Sequence, residues 1–169
     1  MTFDGFGFWR ESWTVPIRDA DRPLREAVER FGARRALDLT DLPALETRSV
    51  RQPGWLDHLF RRDTESRALY VVAPGLLVWV RKGPEARDAL LRAAPLAAIT
   101  VERGMAGPIG AARPAARGLR GLTISGTAVG ESARTLTFLG YGREPDGDVF
   151  EQRLREAMRD AGNPQHGLG

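Results

Sequence analysis

Apolar positions recur at helical spacing in two stretches of the chain. Leu24, Ala27, Val28 and Phe31 fall at i, i+3, i+4 and i+7 behind Asp21 and Pro23, and Gly32 follows them. An N-cap acid, a proline in the first turn and a closing glycine predict one amphipathic helix there. Its other side carries Arg25, Glu26, Glu29 and Arg30, with Glu26 and Arg30 spaced for an i, i+4 pair, the composition of a solvated face. The second stretch holds Phe150, Leu154, Ala157 and Met158. Asp148 with Glu151 three residues on reads as a variant capping box at its start, and Gly162-Asn163-Pro164 as its stop.

Most of the remaining pattern has strand character. Leu69 to Val72 and Leu76 to Val80 are apolar runs on either side of Ala73-Pro74-Gly75, and they are expected to pair as a hairpin. A Pro-Gly pair favours a type II turn, whose twist suits a two-residue hairpin poorly, so a longer loop is expected. Leu96 to Glu102 alternates, as do Leu122 and Ile124 against Thr123 and Ser125, and Leu136 and Phe138 against Thr135 and Thr137. Such one-sided runs belong to antiparallel sheets with one face on a core. Between them, Lys82 to Ala94 reads as a connection with a turn or two of helix around Arg87 to Leu91. Toward the start, Trp13 to Ile17, Arg35 to Leu39 and Leu45 to Val50 read as strands. Pro53-Gly54 opens a short amphipathic segment from Trp55 to Phe60, and residues 163–169 read as a tail.

Composition limits what such a chain does. At 169 residues, 42% hydrophobic and 28% charged, it falls within the soluble globular range. Folding at this size buries roughly 70% of the surface of the unfolded chain, so no disulfide or structural metal is required. The acid at Asp4 and the lack of an apolar run after it do not resemble an export signal, so a cytoplasmic location is expected. The most apolar stretch, Ala68 to Val80, is interrupted by Pro74-Gly75 and is too short to span a bilayer.

Catalytic chemistry has little to draw on. There is no Cys, and the only histidines are His58 and His166. A Ser66, His58, Asp57 grouping fails because adjacent residues of a helix point in different directions. Glu144, Asp146 and Asp148 lack the distal Glu of a calcium loop, and capping accounts for them. No phosphate-binding glycine motif is present, and Gly118-Leu119-Arg120-Gly121 is too common a pattern to indicate RNA binding. The expectation is a protein that is not an enzyme and uses no cofactor or metal.

Two segments remain as candidate binding surfaces. Residues 3–13 hold Phe3, Phe6, Phe8, Trp9 and Trp13, five of thirteen aromatic residues, in an arm loosened by Gly5 and Gly7. The arm is expected to pack on its own domain, with Phe6, Phe8, Trp9 and Trp13 as a partner-binding surface in the alternative. The net charge is only +3, and all the basic residues except Lys82 are Arg, which a composition bias explains. Within that weak balance, Arg103, Arg113, Arg117 and Arg120 sit in a glycine-rich stretch with no acid up to Gly130, suited to phosphate or carboxylate oxygens. No aromatic residue interrupts it, which disfavours single-stranded nucleic acid.

The order hairpin, one-sided strands, C-terminal amphipathic helix resembles bacterial pleckstrin-homology-like domains. Tyr70-Val71-Val72 with Leu76 to Trp79, Pro95 to Glu102, Gly121 to Ser125, Arg134 to Phe138 and Phe150-Glu151 with Leu154 and Ala157 carry the resemblance, over residues 66–162. It implies an α+β fold in which two bent antiparallel sheets form a partly open barrel and the last helix plugs one end. The first hairpin turn here carries no charge, so phosphoinositide-type binding is not implied. Residues 1–65 have no counterpart and are expected to form an N-terminal helical extension that either supplies missing barrel strands or forms a separate cap. The implied function is a binding or scaffolding module acting through protein contacts, including a second copy of the chain. The alternative is an anion binder that holds nucleic acid or membrane phosphate through residues 103–120.

Overall fold

The alternation at the start of the chain extends further than Trp13 to Ile17, because Trp9, Glu11, Trp13 and Val15 all fall on one side and Arg10, Ser12 and Thr14 on the other. In a computed structural model describing residues 8–51, 65–84, 86–104 and 120–163, this segment is strand β1 (Phe8–Pro16). A short 3-10 helix (Ile17–Asp19) leads to α1 (Arg22–Ala33), β2 (Pro43–Arg51), β3 (Glu65–Ala73), β4 (Leu76–Lys82) and β5 (Leu90–Pro95). A second 3-10 helix (Leu96–Ala98), β6 (Thr100–Arg103), β7 (Gly121–Thr127), β8 (Arg134–Gly140) and α2 (Asp146–Asp160) follow. The fold is α+β, with two antiparallel sheets in the orders β1-β2-β3-β4-β5 and β6-β7-β8. No hydrogen-bonded ladder joins the sheets among the described residues. The segment expected to be an N-terminal extension thus contributes β1 and β2 to the larger sheet. No helix among the described residues is long and apolar enough to cross a membrane.

Strand periodicity divides the apolar side chains of the larger sheet between two cores. Leu45, Tyr70, Leu77 and Trp79 face the smaller sheet and the Phe150, Leu154, Met158 stripe of α2. Ala44, Leu69, Val71, Val78 and Val80 face outward, where Leu24, Ala27 and Val28 of α1 cover them. Each buried Leu, Val or Phe contributes about 1.5–3 kcal/mol, so both helices are held mainly by these stripes.

Several local expectations are corrected by tertiary contacts. Residues 35–39 form no strand; the chain turns there, with Ala36 at a positive φ of 53° and the Leu37 N–H donating to Gly32 O at 3.0 Å. The connection expected at 82–94 instead holds β5, because Leu90 to Pro95 pairs with Arg81 to Leu76. Only Thr100–Arg103 of the run from Leu96 is strand. The first hairpin closes on Pro74-Gly75 alone, since Ala73 pairs with Leu76. Gly75 takes φ 70°, and its carbonyl accepts the Leu96 N–H at 3.0 Å, so a neighbouring segment holds the turn.

Neither helix is capped as the sequence suggests. Asp21 stands at the N-cap of α1 but makes no side-chain cap bond. Its carboxylate instead accepts Arg67, while the Asp21 N–H donates to the buried Glu46 at 3.2 Å. Helix α2 starts two residues before Asp148, with Pro145 as N-cap, so no capping box forms. Asn163, assigned above to the tail, is buried and its side-chain amide donates to Leu96 O and Ile99 O. The segments around His58 and from 105 to 119, and residues 164–169, lie outside the described residues.

Candidate anion-binding cleft

The register of the larger sheet sets polar side chains side by side at one end of the face that otherwise forms the inter-sheet core. Arg10 pairs with Ser49, Ser49 with Ser66, and Ala68 with Arg81, across β1, β2, β3 and β4. Beyond them the sheets separate, leaving a cleft of about 300 Å³ bordered by Phe138 and Gly140 of β8 and by Tyr70, Lys82 and Gly83.

Glycines make the approach of β8 possible. A side chain at Gly140 would press on the Arg10 guanidinium and the Phe138 ring, and one at Gly121, its cross-strand partner, on the Leu139 carbonyl and the same ring. The two glycines therefore form a flat bed under Phe138 and leave room for Arg10. Arg10 Nε donates to Ser49 Oγ at 3.1 Å, the Tyr70 hydroxyl to Gly140 O at 3.0 Å, and the Arg81 guanidinium to Phe138 O. Burial pushes the Tyr70 hydroxyl above its ordinary pKa, with the positive charges of Arg81 and Arg10 working against that rise. Both guanidiniums thus act on one buried phenol.

Among the described residues, no carboxylate borders this cleft. Arg67 borders it too, but its guanidinium is occupied by Glu65, Asp21 and Glu46. On the outer face of the same strands charges are matched instead: Arg48 bridges Glu11 and Glu65, and its guanidinium lies 5.9 Å from the Trp9 ring centre. Among the described residues, the cleft border thus carries basic side chains and hydroxyls, with Arg81 bonded to a backbone carbonyl and not to a carboxylate. Hydroxyls of Ser49 and Ser66, beside Arg81 and Lys82, offer donors suited to a carboxylate or phosphate.

The residues singled out from the sequence lie elsewhere. Trp9 and Trp13 are half-buried on the outer face of β1, opposite Arg10; Phe8 begins that strand, and Phe6 lies outside the described residues. Arg103 Nε sits 2.8 Å from both carboxylate oxygens of Glu151, and Arg120 lies 2.7 Å from both of Asp148. These two cations tie β6 and the residue before β7 to α2. Arg113 and Arg117 lie outside the described residues. Among the described residues no group of three His, Asp or Glu is placed to hold a metal.

Glu151 shows how firmly α2 is tied. It is buried, which favours the neutral acid, but Arg103 and Arg155 outweigh burial and hold its carboxyl below the ordinary 4.5. A depressed folded-state pKa contributes stability above the unfolded value that disappears as pH falls through the folded one. Glu151→Gln is expected to cost about 1–2 kcal/mol near neutral pH, and the gap from the native protein should close as pH falls below the ordinary carboxylate range and through the lowered folded-state value. Urea denaturation of both proteins across that range checks it; a gap independent of pH contradicts the ion pair.

Comparison with known proteins gives no match to any family model, curated protein or solved structure.

Proposed function

We propose that the chain is a non-enzymatic binding module on a pleckstrin-homology-like, partly open barrel, acting through protein–protein contacts by taking an acidic segment of its partner into the cleft between the sheets. The order of sheet, sheet and C-terminal helix supports the framework, with β1, α1 and β2 added before it. One observation carries the function: Arg81 shares a sheet face with the hydroxyls of Ser49 and Ser66 in a cleft that Lys82 also borders, and no described residue of that border is a carboxylate. A carboxylate introduced there gains charge-assisted hydrogen bonds from Arg81. Cations and a buried phenol with a raised pKa provide no group poised to exchange protons near neutrality, which favours binding over turnover.

The rival reading, nucleic acid or membrane phosphate gripped by residues 103–120, draws less support because Arg103 and Arg120 carry counter-ions within the fold. A glutamate-rich peptide, duplex DNA, RNA and anionic vesicles titrated into the full chain at low and high salt separate the two. Association with the peptide that weakens as salt rises is expected. Salt-sensitive binding confined to nucleic acid or vesicles favours the rival, and no salt-sensitive binding to any of them rejects both.

A further inference from the structure

We propose that the partner segment binds as an extended strand added to the open edge of β8, with carboxylates turned toward Arg81 and Lys82. This deepens the cleft reading and rests on it. The argument starts from where backbone groups go. An edge strand exposes a row of N–H and C=O groups, and proteins ordinarily cover or block that row. On the outer side of β1, the Ser12 N–H donates to the Glu144 carboxylate at 3.0 Å and the Thr14 N–H to Asp146 at 2.9 Å. On β5, the Ala93 carbonyl accepts the Val129 N–H at 2.7 Å. β6 is only four residues long.

Among the described residues, the outward N–H groups of β8 from Arg134 to Phe138 have no comparable guard. The Gly104 N–H donates to Gly121 O, and the Tyr141 N–H to Arg120 O, which fixes which residues of β7 face each neighbour. With the β7–β8 register, Thr135, Thr137 and Leu139 bond to β7, while Arg134, Leu136 and Phe138 turn their backbone groups outward. Nothing among the described residues accepts the Leu136 or Phe138 N–H, and Leu136 is 40% exposed. Toward its C-terminal end the outward carbonyls have partners from the larger sheet: Phe138 O is held by Arg81 from across the cleft, and Gly140 O by the Tyr70 hydroxyl at 3.0 Å.

The Arg81 bond identifies the occupant. An incoming strand supplies an N–H to Phe138 O, and the released guanidinium turns to a carboxylate on the strand. A second copy of this chain is a poor fit, because its Arg134 and Arg81 bring like charge to the same edge. An acidic extended segment satisfies both the backbone row and the cations.

The probes are an alternating Thr/Glu/Val/Glu octapeptide and two counterparts N-methylated on alternate residues in the two registers. The unmodified peptide is expected to bind, and one methylated register to lose at least about tenfold in affinity, since it cannot donate to β8. Amide exchange at Leu136 and Phe138 in the complex should slow by about the same factor. Leu136→Pro removes one outward N–H without touching the β7 ladder and should reproduce the loss. The methylated peptides test the unaltered protein, so the outcome does not depend on that variant folding. Equal affinity for all three peptides, with binding lost in Arg81→Glu, overturns strand addition and leaves the cleft reading intact. No binding by any peptide overturns both, and a dimer dispersed by Leu136→Pro overturns the acidic partner in favour of a second copy.

Discussion

Arg81→Glu is expected to lower affinity for a glutamate-rich peptide by about 100-fold, the larger part of it electrostatic. Arg81 lines the cleft, paired across the strands with Ala68, and its guanidinium reaches Phe138 O. Reversal removes a fork of donors suited to a carboxylate and puts a repelling charge in its place. Lys82, at the rim and without a planar fork, should matter less, and Lys82→Ala is expected to cost only a few-fold. Arg81 is exposed, and its bonds to Phe138 O and toward the Tyr70 hydroxyl are made near solvent, so Arg81→Glu should alter stability by about 1–2 kcal/mol. Fluorescence titration with parallel urea melts separates the effects; affinity within about threefold of the native protein would remove Arg81 from the site.

The elements legible in the sequence are those whose burial is set by one face. The stripes of α1 and α2 satisfy helical spacing on their own, and Leu69 to Val80 has enough bulky residues to pair in almost any context. β5 was hidden because Leu90-Leu91-Arg92-Ala93-Ala94 is rich in helix formers, and only the free edge of β4 draws it into a strand. Asp21 and Asp148 look like caps by type and position, yet Arg67 and Arg120 compete successfully for their carboxylates. The cleft was harder to see. Arg10 and Arg81 are far apart in the chain and become neighbours only through the order β1-β2-β3-β4. In a chain with so many arginines neither stands out, while the cluster at 103–120 does. The distinguishing property is whether a carboxylate lies nearby in space, which spacing along the chain does not encode.

Gly121→Ala is expected to destabilise the fold by about 3 kcal/mol or more, from two sources that add. Gly121 adopts φ 154°, a conformation L residues rarely take, and such strain costs of order 1–3 kcal/mol. An added methyl also meets the Leu139 carbonyl and the Phe138 ring inside van der Waals contact. The carbonyl belongs to the β7–β8 ladder and cannot rotate away, so this overpacking costs a further 1–3 kcal/mol or so. Gly75→Ala is the control: its φ is also positive, but nothing lies within 4 Å of the new methyl. It should lose only about 1 kcal/mol. The contrast bears on function, because the Phe138 ring that rests on Gly121 also borders the cleft and carries the carbonyl held by Arg81. Urea melts of both variants provide the comparison, and equal losses would show that β8 does not pack against Gly121 as described.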